Sequence, residues 1–180
     1  MDLNQFRRLA MQNNFRQNLY IELIVIILFI CASLIYFWPA VTHFTTSLPG
    51  NQDELFITFA ITKMARKFPQ PLDQLFDSGI FYPVTNSQVF SDLFITSGIL
   101  VKPFLAYFKE PVVAFNTILL IGQFLTLYSC YLLLKQMTKN KLISFQFSLV
   151  FGYSLIHLHY IPHLHTFFIA FVPLSGWILL

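Results

Sequence analysis

The stretch LIVIILFICASLIYFWPAV, Leu23 to Val41, decides how the rest of the chain is read. It runs for 19 residues without a formal charge. As a helix it would reach roughly 28 Å, about the hydrocarbon thickness of a bilayer. Arg7, Arg8 and Arg16 precede it. Arginines collect on the cytoplasmic side of a span, so the N-terminus is expected inside and the acidic pair Asp53-Glu54 outside. A cleaved leader is the alternative. The apolar core exceeds the roughly 7–15 residues of such leaders, and the nearest small-residue site, Ala40, follows Trp38-Pro39, so the span reads as an anchor.

Composition points the same way. The chain is 56% hydrophobic and 11% charged, where a soluble domain carries about a quarter charged residues. From Leu142 to Leu180 no Asp, Glu, Lys or Arg occurs in 39 residues, and such a stretch cannot form a water-facing surface. The net charge of +3 is small and shows no basic patch of the nucleic-acid kind, so nucleic acid is not expected as a partner. Cys31 and Cys130 both fall in apolar runs and read as packing residues.

The expected fold is all-α, a polytopic transmembrane helical protein of the plasma membrane. Residues 1–18 would be a cytoplasmic segment and 19–41 the first span. Residues 42–110 would form an extracytoplasmic loop and 111–134 a second span of 24 uncharged residues. Lys135, Lys139 and Lys141 mark 135–141 as a cytoplasmic loop. A third span, 142–156, would emerge at a histidine-rich turn, 157–165. A fourth would begin at 166 and is still apolar at Leu180, so the chain reads as the N-terminal part of a longer protein.

Within the outside loop, 53–68 reads as an amphipathic surface helix. Glu54, Thr58, Thr62 and Arg66 form its polar stripe, and Phe56, Ile57, Ala60, Ile61, Met64 and Phe68 its apolar face. Pro69 and Pro71 end it. Lys63, Arg66 and Lys67 suit its C-terminal dipole and would contact lipid headgroups or hold phosphate. The stretch 92–108 is apolar but short and interrupted by Lys102-Pro103. It reads either as a re-entrant or short helix that stays outside or as a crossing, and the lysines after the second span favour the former.

Three groups carry candidate chemistry. Asp53, with Glu54 beside it, is a carboxylate at the membrane interface, suited to act as a general base or to bind a cation; the structural alternative is that Asn51, Gln52 and Asp53 cap the helix. His157, His159, His163 and His165 lie within nine residues. His159 and His163, four apart, could share a face and ligate a metal. No Cys or carboxylate accompanies the cluster in sequence, and imidazoles binding a phosphate or a sugar hydroxyl fit better than a metal site. Tyr82, Asn86 and Asp92 stand in a turn-rich segment where aromatic and amide groups interleave. That is a structural loop by default and a carbohydrate-binding surface otherwise. Asp92 also fits as the N-cap of the next helix.

The order of these features resembles the N-terminal region of integral-membrane glycosyltransferases of the GT-C superfamily. A span with its N-terminus inside precedes Asp53-Glu54. A Pro71-Leu-Asp-x-Leu-Phe-Asp77 loop follows, continued by Phe81-Tyr82-Pro83, Asn86 and Ser91-Asp92. Next come a span ending Tyr131-Leu-Leu-Leu-Lys135 and a histidine-rich outer end. The chain looks most like the bacterial transferases related to the dolichyl-phosphate-mannose and lipid-A aminoarabinose transferase families. The resemblance implies transfer of a sugar from a polyprenyl-phosphate carrier to an acceptor, still unidentified, at the extracytoplasmic face. It also implies that Asp53 is the base toward that acceptor, or a ligand of a divalent metal. The histidines stand where relatives carry acidic metal ligands, which leaves the cofactor unknown.

The competing class is a transporter or another non-enzymatic polytopic protein. Transport calls for ionisable groups or broken helices near mid-bilayer. Glu22 near the inner interface and Lys102-Pro103 do not build such a path.

Overall fold

Val25, Phe29 and Ser33 recur every four residues and are buried, while Ile24, Ile27 and Ile35 on the same helix stand exposed. Only one face of this helix therefore meets protein, and its other face is uncovered and apolar. It belongs to α1 (Leu3–Tyr36), which in the computed structural model runs unbroken through the expected cytoplasmic segment. The structure describes residues 3–180 apart from 51–52, 78, 81, 91, 156–158, 160 and 165–168. Side chains are described from residue 16 onward, except those of 72, 73 and 162. All regular structure among the described residues is helical, with no strand.

Pro39 lacks an N–H and its ring collides with the carbonyl four residues back, so α1 stops at Tyr36 and a short α2 (Trp38–Thr42) restarts the chain in a new direction. After an irregular segment come α3 (Asp53–Lys67), α4 (Leu72–Leu75), a 3-10 turn (Ser87–Phe90) and α5 (Ile95–Phe108). The second half holds α6 (Val112–Thr138), α7 (Lys141–Gly152), a second 3-10 turn (Ile161–His163) and α8 (Phe171–Leu179). The Arg16–Tyr36 part of α1 and the whole of α6 are long and apolar enough to cross a bilayer.

The α6–α7 connection is tighter than a 135–141 loop. α6 continues through Lys135 to Thr138, Lys139 takes a left-handed conformation (φ 55°), and Asn140 caps α7 by accepting from Leu142 N and Ile143 N at 3.0 and 3.1 Å. α7 then packs closely on α6 through a small-residue stripe: Ser144, Ser148 and Gly152, all buried. The two serines bond back to carbonyls of their own helix at 2.6 Å, which removes the cost of burying a hydroxyl. At Gly152 a Cβ would fall 2.5 Å from Leu127 Cδ2. Gln123 Nε2 donates to Gly152 O at 2.8 Å. α7 ends there. Its 12 residues reach roughly 18 Å, short of a full span. Residue 156, where the third span was expected to end, lies outside the described residues, as do 166–168 of the fourth.

Two cores hold the helices together. Phe29, Leu127 and Tyr131 join α1 to α6, with Phe145 of α7 stacked on Phe29 at 5.0 Å. The other core, at the Tyr36 end of α1, gathers Phe37, Ile57, Ile61, Val101, Phe115 and Leu164 from five separate segments.

Two local expectations are corrected. α3 buries most of the face assigned to it, Ile57, Ala60, Ile61 and Met64, but Glu54, Thr58 and Thr62 of the expected polar stripe are buried as well, while Phe56 is exposed. Thr58 Oγ1 donates to Glu54 O at 2.6 Å, so the threonine presents only its methyl to the core. Asp92 does not cap α5. The residue before the helix is Phe94, left-handed at φ 46° and making no side-chain cap, and its ring is buried in the core.

Candidate functional site

The chain has to place Asp53 and the histidines before any chemistry can be read. Asp53 is the first residue of α3, where helix amide groups and the dipole favour negative charge. His163 ends the second 3-10 turn, and Leu164 beside it is 2% exposed in the core shared with Ile57 and Ile61. Leu164 therefore anchors the turn against α3. The result is a contact: His163 Nδ1 lies 3.0 Å from Asp53 Oδ2. Both side chains remain solvent-accessible, 41% for the histidine and 59% for the aspartate. A ligand can reach them, and their mutual attraction is screened.

Glu54 is different. It is buried, and its carboxylate lies so close to Gly50 that a Cβ there would fall 2.1 Å from Glu54 Oε1. The bare glycine lets the chain close over that carboxylate. Of the acidic pair, Asp53 faces the solvent-accessible side and Glu54 the protein.

The loop residues are fastened elsewhere. Lys67, last in α3, donates to Gln74 O at 2.6 Å and also to Asp77 O. Gly79 N donates to Asp77 Oδ1 at 3.0 Å, Gln88 N to Phe76 O at 2.9 Å, and Gln88 Nε2 to Asp92 O at 3.2 Å. Tyr82 is 92% exposed, and Asn86 is left-handed at φ 56°. The loop bearing Tyr82, Asn86 and Asp92 is thus tied to the C-terminal end of α3, and the helix's 15 residues separate its two ends by roughly 21 Å. His159 is exposed. His157 and His165 lie outside the described residues, as do Asn51 and Gln52 of the expected cap. The structure brings together Asp53 and His163 from the set singled out in the sequence; Tyr82, Asn86 and Asp92 stand on a loop fastened to the other end of α3.

Among the described residues no three His, Cys, Asp or Glu side chains converge as a metal would require. Asp53 and His163 supply two donors, one fewer than the three protein ligands of a typical catalytic zinc, and those two already contact each other. The described donor set falls short of a zinc site.

One structural determinant escaped the sequence reading. Asn116, fully buried on α6, donates from Nδ2 to Phe44 O at 2.9 Å and Ser47 O at 3.0 Å. It holds the segment that leads into Asp53. The available signal was its amide, one of two, with Gln123, inside the run 111–134. The same segment walls a cleft of about 380 Å³ with Tyr36, His43 and Leu48 on its lining. No protein-family model, curated protein or solved structure matches the chain.

Proposed function

We propose that this chain is part of a membrane glycosyltransferase that moves a sugar from a polyprenyl-phosphate carrier to an acceptor hydroxyl at the extracytoplasmic face, with Asp53 as base and His163 as its positioning partner. The observation that carries the reading is the 3.0 Å contact between His163 Nδ1 and Asp53 Oδ2. With one carboxylate oxygen held by the imidazole, the other remains open to solvent and accepts the acceptor's proton. The acceptor oxygen then bonds to the anomeric carbon, and the carbon–oxygen bond to the carrier phosphate breaks, the phosphate leaving with the electron pair. A lipid-linked donor presents that bond at the membrane interface, which is where a helix lying across the ends of two bilayer-length helices would hold Asp53. Multi-pass residence in the plasma membrane, with the N-terminus cytoplasmic, is part of the same proposal. It is supported by the uncovered apolar face of α1 and by the arginines before it.

A second reading, transport, is favoured by one observation. α7 stops at Gly152, level with Leu127 midway along α6, and a broken helix at mid-depth is what transporters use to bind substrate. Membranes carrying the protein and labelled polyprenyl-phosphate sugars separate the two. Transfer to acceptor that falls about a hundredfold or more in Asp53→Asn supports the transferase. Undiminished transfer in that variant, or solute uptake without transfer, rejects it.

A further inference from the structure

The C-terminal half of α3 carries Lys63, Arg66 and Lys67, and α5 with its C-cap brings Lys102 and Lys109 alongside. Arg66 lines two open grooves. One, of about 500 Å³, also takes Leu55, Phe59, Lys63 and Lys67; the other, of about 350 Å³, takes Lys102 and Lys109. Lys67 and Lys102 are held by backbone carbonyls, Lys67 by Gln74 O and Asp77 O and Lys102 by Phe68 O, contacts that fix the ammonium groups without neutralising them. Carboxylates lie close in chain at Glu54, which is buried, at Asp73, at Asp77, whose Oδ1 accepts from Gly79 N, and at Glu110, exposed beside Lys109. The described residues that line the two grooves include these five cations and no carboxylate, so the groove walls are basic.

The larger groove is also graded along its length. Leu55, Phe59 and Lys63 are successive i, i+4 positions on one face of α3, so apolar surface passes into cationic surface over roughly 12 Å. Lys63 Nζ sits 5.5 Å from the centre of the Phe59 ring, where the two surfaces meet. A free anion would use the cationic end and leave Leu55 and Phe59 wet. A phosphate carried on an acyl chain uses both.

We infer that this groove binds an anionic glycerophospholipid, its phosphate between Lys63 and Arg66 with Lys109 across the ridge, and its proximal chain along Leu55 and Phe59. The inference rests on the membrane part of the reading above and is independent of sugar transfer. The bound lipid would hold α3 and α5 at the lipid surface and so keep Asp53 at a constant height above it.

The test is lipid retention by the intact protein released from nanodiscs of phosphatidylcholine mixed with phosphatidylglycerol, read by native mass spectrometry. Retained lipid is expected to be enriched in phosphatidylglycerol. Arg66→Gln with Lys109→Gln should lower that enrichment about twenty-five-fold, roughly fivefold for each cation lost near a charged surface. Arg66→Lys should keep most of it, and Leu55→Ser with Phe59→Ser should lower retention with the charges intact. Equal retention of both lipids by the unaltered protein overturns the inference. So does enrichment unchanged in the double glutamine variant, or displacement of the lipid by inorganic phosphate alone. Failure of the protein to enter nanodiscs would instead sink the membrane reading, which keeps the two failures apart.

Discussion

Glu22 of α1 accepts from Lys135 of α6 at 3.1 Å, and its other carboxylate oxygen lies 3.1 Å from Lys141 of α7. One carboxylate thereby joins three helices at the end of the bundle away from Asp53. All three side chains keep 22–31% of their surface exposed, so solvent screens much of the attraction. Glu22→Gln should lower stability by about 1 kcal/mol. The check is the thermal midpoint in detergent followed by tryptophan fluorescence, and the loss should shrink in high salt. An unchanged midpoint would show the cluster to be energetically neutral.

Gly98 governs how closely α5 approaches α3. A Cβ there would fall 2.7 Å from Met64 Cγ and 3.0 Å from the backbone nitrogen of Ala65. Methionine can swing aside, but the backbone cannot. Gly98→Ala should therefore separate the helices at a cost of about 1–3 kcal/mol. The same melting experiment reads it, with Gly176→Ala as the control, since its Cβ would meet only Leu133 methyl groups at 3.4 Å. Equal midpoints for the two variants would contradict the packing described.

Asn116 fastens the 43–49 segment by two hydrogen bonds to carbonyls. Asn116→Ala leaves both acceptors facing an apolar helix and should cost about 2 kcal/mol. Asn116→Asp should cost more, because a carboxylate would oppose two carbonyl oxygens. Limited proteolysis between residues 43 and 50 should become faster in both variants; an unchanged rate would mean the segment is held by something else.

Length and charge made the long helices legible. A run such as 23–41 has nowhere to hide its side chains except lipid or a core, and 111–134 repeats that signal. The apolar face of α3 was legible except at Phe56, but the burial of its polar stripe was not, because Thr58 and Thr62 count as polar in a sequence pattern. Back-bonding turns Thr58 into a core residue. The short α7 was equally hidden: the apolar run continues past Gly152, yet the helix ends there, packed against Leu127 of α6. Asp53 and the histidines stood out by residue type, but their pairing depends on Leu164 docking into a core built from distant segments. No local pattern encodes that docking.

The central claim is that Asp53 and His163 act on one proton as a unit, and a double-mutant cycle in the transfer assay tests it most directly. Asp53→Asn alone should lose about a hundredfold or more, His163→Ala alone about tenfold, and the two together no more than Asp53→Asn. His163→Gln, which can still donate to Oδ2, should recover part of the loss. Multiplicative losses in the double variant, or a His163→Ala protein with full activity, would contradict the account.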